Sequence, residues 1–390
     1  MSYARRVSVE ATLLAMCEAA PAEDEPRMLW ADHVGGERGE LVMVQCALAR
    51  GELTPAASGA LRVRQRELLA ANGHAWSGLE PWALRCRFRR GFVELATFTA
   101  TTFLDHAEQI FAAAPLLASI TLEDLTDAHV AALIDHPMYP QIRGLAMSYT
   151  TDVALRAAAE RGAFAHLEAL ALHRLDPTLV VELAASKQLQ NLTRLELFKN
   201  NGVSPALLAS MPKLRALSIA YGDDPFEYVK AFPRTLTELS ITAGTLDELA
   251  LSPIAGQLEQ LTLHHARGTG ALPQLAAFPK LRSLDLFAAH KVTIDAGFAD
   301  SPLPALREFR ASHLTAACVD ALAERLGPQL ELLELIGYKP EDDLATARAL
   351  VAGDVFANRI ISAPAPLFAG ELTNGPMWDY PFVRFRPWRM

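Results

Sequence analysis

The sequence predicts an α/β solenoid, a fold in which short repeats stack along one axis. Ten segments closely follow a pattern of Leu or Ile, two other residues, Leu, one other residue and Leu. Successive segments begin 22 to 25 residues apart, a period that indicates a repeat architecture. They begin at Leu117, Ile142, Leu167, Leu192, Leu214, Leu236, Leu258, Leu281, Leu306 and Leu330.

Each leucine pattern predicts a short β-strand. Side chains alternate between the two faces of a strand. In the fourth repeat, Leu195 and Leu197 therefore share a buried face, and Phe198 points outward. One repeat cannot cover its own apolar row, so stacking buries all the rows in one core. We expect one parallel strand from each repeat on the concave side of an arc.

The segments between the strands predict helices on the convex side. Asp176-Pro177 and Ser204-Pro205 place a capping side chain before a Pro at the first helical position. The 25-residue repeats accommodate a helix, whereas the 22-residue intervals between Leu192 and Leu258 allow about two α-helical turns or a 3-10 piece. Repeats of this length and pattern place the fold in the α/β leucine-rich-repeat class. The Asn ladder of that class is mostly missing, so turn backbone groups must be satisfied in other ways.

Residues 1–82 break the repeat and predict a small helical domain. Apolar residues at helical spacing predict four helices, at 8–20, 25–33, 40–50 and 61–71. The solenoid is predicted to span 83–338. Residues 339–390 are expected to form a cap helix at 342–352 and an aromatic tail, of which 376–390 docks on the solenoid.

The first quarter of the chain resembles the bacterial repeat-companion domain, which typically precedes leucine-rich or similar repeats. The resemblance rests on the runs from Pro21 to Asp32, from Glu40 to Leu48 and from Phe88 to Glu94. The chain departs from the family pattern at Glu23, Trp30, His33 and Val34. No established activity comes with that family. The resemblance therefore implies an architecture, that of a bacterial leucine-rich-repeat protein with a companion domain.

Composition favours a folded, acidic protein. The chain has 390 residues, 51% hydrophobic content and a formal net charge of -9, which argues against a general surface for nucleic acid or anionic membranes. No stretch reaches the roughly 18 apolar residues of a membrane span, and no apolar run of signal-peptide length follows Met1 to Arg6. We therefore expect a cytoplasmic protein. Its four cysteines form no C-x-x-C pair and are expected to be reduced and buried.

No sequence motif indicates catalysis or a cofactor. A Gly-rich phosphate loop, a zinc-protease helix motif and a nucleophile elbow are all missing. His264 and His265 should point to opposite faces of their strand, and His173 lies four repeats from His264, about 19 Å at strand spacing. A shared metal ion is therefore not expected. We predict a non-enzymatic protein without a cofactor.

The concave face is the predicted binding surface for a protein or peptide. Exposed aromatic and histidine side chains stand beside a column of small residues, an arrangement typical of interface anchors. The alternative is that Phe198 and Phe287 only cover strand ends. The candidate residues for partner binding are Phe198, Tyr221, Phe287, Tyr149, His173 and His264.

The N-terminal domain offers a secondary candidate site at Arg27 and Asp32, which could recognise a charged partner. The alternative is structural. Asp24 can cap the second helix, and Arg27, Asp32 and Glu40 can form charge-assisted hydrogen bonds that fix helix packing.

Two alternative functions follow from other arginines. Arg85, Arg87, Arg89 and Arg90 could bind nucleic acid, although charges on an edge strand also prevent edge pairing. Regulation of a GTPase or other enzyme would need a residue such as Arg174 or Arg310 at the rim of the arc. The sequence predicts neither the partner's identity nor the oligomeric state.

Overall fold

The computed structural model describes residues 3–147, 151–173, 176–198, 203–220, 229–242, 249–264, 267–269, 273–286, 291–293, 303–311, 324–326, 329–335 and 360–362. The predicted cap helix at 342–352, Cys318 and residues 376–390 of the predicted aromatic tail lie outside these ranges. No helix in the described part of the chain is long and apolar enough to cross a membrane.

Four helices form the N-terminal part: α1 (Tyr3–Ala19), α2 (Asp24–Val34), α3 (Gly36–Arg50) and α4 (Pro55–Ser77). They overlap the four predicted segments. α4 is longer than its apolar spacing predicts. The Thr54 side chain accepts a hydrogen bond from the Ala57 N–H, Pro55 follows as the first helical residue, and Gly78 ends the helix in the left-handed conformation.

The sheet begins with an antiparallel hairpin of β1 (Arg85–Arg89) and β2 (Phe92–Thr99), followed by α5 (Ala100–Ala113). All later strands of this sheet pair in parallel and in chain order, which gives a solenoid-like α/β arrangement of 13 strands among the described residues. They are β3 (Ser119–Glu123), β4 (Gly144–Met147), β5 (Ala169–His173), β6 (Arg194–Phe198), β7 (Ala216–Ala220), β8 (Glu238–Thr242), β9 (Gln260–His264), β11 (Ser283–Leu286), β13 (Glu308–Ala311), β14 (Leu332–Leu335) and β15 (Ile360–Ser362). β10 (Arg267–Thr269) and β12 (Lys291–Thr293) pair separately.

The return segments have the lengths that the spacing predicts. The 25-residue repeats contain the nine-residue helices α6 (Asp127–Asp135), α7 (Asp152–Glu160) and α8 (Pro177–Ala185). The shorter intervals contain α9 (Pro205–Ala209) and a 3-10 helix at Ala255–Gln257. Asp176 and Ser204 cap their helices as predicted, each by accepting a hydrogen bond from a backbone N–H.

One continuous core joins the strands to these helices. All ten opening residues of the repeats are at most 3% exposed, which confirms the predicted register. Leu195 and Leu239, from different strands, are 2% and 3% exposed and belong to the same cluster as Leu179 and Leu183 of α8. The leucine rows are therefore buried by stacking.

Side chains connect the turns of successive repeats by hydrogen bonds. The residue just before the opening Leu often donates to a backbone carbonyl of the preceding repeat. Asn191 Nδ2 donates to Ala165 O at 2.9 Å, Thr235 Oγ1 to Leu214 O at 2.6 Å, Gln257 Nε2 to Leu236 O at 3.0 Å and Gln329 Nε2 to Leu303 O at 2.8 Å. Each of these bonds gives a backbone carbonyl a donor from the next repeat.

The β1–β2 hairpin docks on the helical domain through its turn. Arg90 and Gly91 both have positive φ, 46° and 87°. A Cβ on Gly91 would lie 2.2 Å from Cγ2 of Val42, so only Gly fits here. The Gly91 N–H donates to Gln45 Oε1 at 2.7 Å, which fixes the turn against α3.

Candidate binding surface

The strand face is the side of the sheet that points away from the leucine core. On β6 its side chains are Arg194, Glu196 and Phe198, each partly exposed, and they alternate with the buried Leu195 and Leu197. The predicted outward direction of Phe198 is therefore confirmed.

Phe198 stacks on His173 of the neighbouring strand. The two residues pair directly in the register of β5 and β6. Their ring centroids are 4.7 Å apart and the ring planes are inclined by 33°. His173 is only 3% exposed, whereas Phe198 remains partly exposed. The prediction treated His173 as a surface residue, and this is corrected: its imidazole supports the phenyl ring, and Phe198 is the one that a partner can reach.

The other predicted anchors cannot be placed beside this pair. Tyr149, Tyr221 and Phe287 lie outside the described residues. His264 is the last residue of β9 and pairs with Thr242 of β8, but only its backbone is described. Phe198 and His173 are thus the described members of the predicted set.

Small residues line the adjacent column of the strand face, as predicted. Thr121, Ala146 and Ala171 follow one another in register on β3, β4 and β5 and are at most 4% exposed. Ser218 of β7 is partly exposed at the same register position. The same column continues through Glu196 of β6, which is partly exposed next to Phe198, whereas the small residues of β3 to β5 are buried.

An ion pair borders this surface at the start of the strands. Arg194 Nη2 of β6 lies 2.5 Å from Glu238 Oε2 of β8, and both side chains are more than a quarter exposed. The pair reaches across β7, whose Ala216 lies between them in register and is 4% exposed. The border of the surface is polar and carries both signs of charge.

A shallow groove of about 580 Å³ lies at the N-terminal ends of the strands. Its lining includes Arg143, His166, Glu168, Asn191, Thr193 and Lys213. Several of these side chains bond to the neighbouring repeat: Asn191 to Ala165 O, Thr193 to Glu168 O and Lys213 to Asn191 Oδ1. Phe198 is the last residue of its strand, so the groove lies at the opposite end of the strands from this predicted anchor. We assign the groove a structural role.

Arg27, the secondary candidate, is fully buried. Its Nη1 donates to the carbonyls of Arg89 and Arg90 at 3.2 and 3.4 Å, and its Nη2 donates to Pro21 O and Glu94 Oε1, both at 2.7 Å. The guanidinium therefore joins α2 to the hairpin and is not presented to a partner, which supports the structural alternative.

The neighbouring charged residues do not assemble around Arg27 as a recognition site. Asp32 is exposed. Asp24 does not cap α2, because Glu23 occupies that position without a side-chain bond; Asp24 instead pairs with Arg50 and Arg90 at 3.0 and 3.1 Å. Glu40 accepts two bonds of 2.7 Å from Arg64, which joins α3 to α4.

The arginine row of β1 is largely engaged in ion pairs. β1 is the first edge of the large sheet, and its buried and exposed side chains alternate as predicted. Arg85 pairs with Glu123, and Arg90 pairs with Asp24 and donates to Ala22 O at 2.7 Å. Carboxylates thus neutralise part of the row, which weakens its attraction for phosphates.

The surroundings of Arg38 are not predicted by the sequence. Its guanidinium carbon lies 5.3 to 5.6 Å from four ring centroids, those of Trp30, Trp76, Phe88 and Phe92. Burial lowers the pKa of Arg38 to about 10. Within the described ranges no carboxylate pairs with it. The four aromatic residues can be seen in the sequence. Their convergence on Arg38 cannot, because it depends on how the β1–β2 hairpin packs against the helical domain.

We expect Arg38→Met to change the free energy of unfolding by less than about 2 kcal/mol. The loss of a desolvated cation–π contact costs about 2 kcal/mol, and removal of a buried charge without a carboxylate partner offsets that cost. Urea denaturation of the variant and the wild type measures the difference. A loss of more than about 3 kcal/mol would show that Arg38 has a charged partner that these contacts do not include.

Among the residues that the structure describes, no group of three His, Cys, Asp or Glu side chains is placed to hold a metal ion. Cys17, Cys46 and Cys86 are buried free thiols, as predicted. Burial raises the pKa of the Cys46 thiol to about 12 and that of the Cys86 thiol to about 11. At neutral pH these two cysteines are therefore protonated.

No family model and no curated protein matches the chain. Among solved structures, the crystal structure of a plant ice-binding protein is similar over 65% of this chain and 76% of its own length, with 16% sequence identity and a TM-score of 0.28. A TM-score this low does not indicate a shared fold.

Proposed function

We propose that this protein is a non-enzymatic interaction module that binds a protein or peptide on its strand face. The observation that carries the proposal is the stack of Phe198 on His173. A partly exposed aromatic ring is held in place by a buried ring on a parallel sheet. Such a side chain loses little conformational freedom on binding, and aromatic side chains are enriched among binding anchors.

The surroundings of Phe198 support a protein or peptide as the partner. In register beside the ring, Glu196 of the same strand is partly exposed and Ala171 of β5 is buried. An apolar anchor next to polar side chains is the usual anatomy of a protein interface. A strongly basic or acidic partner surface is not required by this arrangement.

We also propose that the solenoid belongs to the leucine-rich-repeat class and that the first four helices and the hairpin form a repeat-companion domain. The burial of all ten repeat openers supports the first assignment. The docking of the Arg90-Gly91 turn on α3 supports the second, because this turn lies in one of the runs that carry the resemblance. Bacterial origin and a cytoplasmic location stay predictions.

The two alternative functions gain no specific support. Arg310, the rim residue proposed for enzyme regulation, pairs with Glu308 at 3.3 Å, and Arg174 lies outside the described residues. Nucleic-acid binding would use a row in which Arg85 and Arg90 already pair with carboxylates. A salt titration against oligonucleotides separates this second alternative, because phosphate binding weakens steeply with salt.

We expect Phe198→Ala to weaken partner binding by about 2 kcal/mol, some thirtyfold in affinity. The partner is first captured from the native cell with wild-type protein and identified by mass spectrometry. Its affinity is then measured for wild type, for Phe198→Ala and for Val181→Ala. Val181 is the matched control, since it is 59% exposed on α8 and also loses an apolar side chain. Equal affinity for wild type and Phe198→Ala would move the binding site off the strand face.

A further inference from the structure

α4 contacts both ends of the solenoid. Near its C-terminal end, Leu68 and Leu69 are buried in the same core cluster as Phe88 of β1. Near its N-terminal end, Ser58 and Arg62 bond to acidic residues of the last repeats, more than 240 residues away in the chain. One helix therefore spans from the first strand to β13 and to Glu331, the residue before β14, and it also contacts β15.

The distant contact is polar and partly buried. The Ser58 hydroxyl donates to Glu331 Oε2 at 2.6 Å, and these two residues are 3% and 9% exposed. Arg62 Nη2 donates to Glu308 Oε1 at 2.7 Å and lies 3.8 Å from Glu331 Oε2. The side chains of Arg62 and Glu308 are 30% and 21% exposed, so solvent ions can reach this pair.

Residues of the solenoid preorganise the acidic side of the contact. Glu308 also accepts a bond from Ser283 Oγ at 3.4 Å and lies 3.3 Å from Arg310 Nη2. Burial works to raise the pKa of Glu308, but the charges of Arg310 and Arg62 outweigh burial and hold this pKa below its usual range. The carboxylate is therefore ionised at neutral pH and available to Arg62.

The geometry requires that the sheet bends around α4. Along the sheet, β13 lies ten strand steps from β1, about 48 Å at strand spacing. Along α4, Arg62, which bonds to Glu308 of β13, lies 11 residues from Gly73, about 17 Å at helical rise. A Cβ built on Gly73 would lie 4.0 Å from Cε2 of Phe88 of β1, so this part of α4 packs near β1. The distance along α4 is shorter than the distance along the sheet between β1 and β13. The sheet must therefore curve, and α4 connects its two ends directly.

We propose that α4 is a clasp that sets how wide the arc opens, with Ser58 and Arg62 as its releasable end and the apolar contact with β1 as its fixed end. Loss of the bonds to Glu308 and Glu331 lets β13 and β14 move away from α4. If the strand face binds a partner, which rests on the proposed function, the clasp also limits the size of that partner.

The test is Arg62→Glu, which places a carboxylate against Glu308. Amide hydrogen exchange of residues 54–66 should become about tenfold faster, a change of about 1.4 kcal/mol, while residues 67–77 keep their protection. The radius of gyration measured by small-angle X-ray scattering should rise. Arg66→Glu is the matched control, since Arg66 is exposed on the same helix and the charge change is the same. This control should match wild type in both measurements.

Wild-type exchange and an unchanged radius in Arg62→Glu would overturn the proposal. Faster exchange throughout α1 to α4 would also overturn it, because the contact would then support the whole domain. If Arg62→Glu does not fold, the wild type is measured from about 0.05 M to about 1 M NaCl, over which charge screening becomes strong. Exchange should then rise in residues 54–66 alone, and exchange that is independent of salt would contradict the clasp. None of these measurements needs a partner, so their failure is distinct from a failure of the binding proposal.

Discussion

Arg27→Met is expected to lower the free energy of unfolding by about 3 to 5 kcal/mol. Arg27 is fully buried, and its guanidinium serves four acceptors, the carbonyls of Pro21, Arg89 and Arg90 and the carboxylate of Glu94. Methionine fills a similar volume but donates no hydrogen bond. Glu94 and the carbonyls would then lose the donor that Arg27 supplies, in a place that water reaches poorly.

Urea denaturation of purified variants measures this effect. The control is Arg64→Met, which removes an arginine whose side chain is 37% exposed and whose partners are surface glutamates. Exposed ion pairs contribute at most about 1 kcal/mol, so this variant should stay near wild type. Equal losses in Arg27→Met and Arg64→Met would show that Arg27 does not join α2 to the hairpin as described.

Leu195→Ala is expected to cost about 2 to 5 kcal/mol, because it removes buried methyl groups and leaves a cavity in the core. Leu195 is 2% exposed and lies in register between Leu170 of β5 and Leu217 of β7. Stacked rows cannot close such a cavity without moving strands on both sides.

Leu251→Ala provides the comparison for this prediction. Leu251 belongs to the same solenoid but is 88% exposed, so its truncation should change stability by no more than about 0.5 kcal/mol. Thermal melting of both variants distinguishes a stacked core from a chance leucine spacing. An unchanged melting temperature in Leu195→Ala would mean that the repeat register is wrong.

The repeat architecture could be predicted because its signal is local and repeated. The position of Leu192 or Leu258 within its segment determines which neighbours are buried, and the structure buries both completely. The interval between openers also limits the return segment, which explains why α8 is nine residues long and α9 five. Alternation then predicts that Phe198 points away from the core.

Contacts between residues far apart in sequence could not be predicted in the same way. Arg27 reaches backbone carbonyls 62 and 63 residues away, and no side-chain pattern marks a carbonyl as an acceptor. His173 is buried although it points away from the leucine core, and Phe198 from the next repeat stacks on it. The bond from Arg62 to Glu308 spans 246 residues and depends on how far the sheet bends.

The central claim, that a partner binds on the strand face, is tested most directly by photo-crosslinking. A photoreactive amino acid is placed at Ser218, which is partly exposed on the strand face, and separately at Val181, which is 59% exposed on α8. Each variant is irradiated in complex with the captured partner, and the products are mapped by mass spectrometry. Crosslinks from position 218 and none from position 181 are the predicted result. Crosslinks from position 181 and none from position 218 would contradict the claim and place the partner on the helical side.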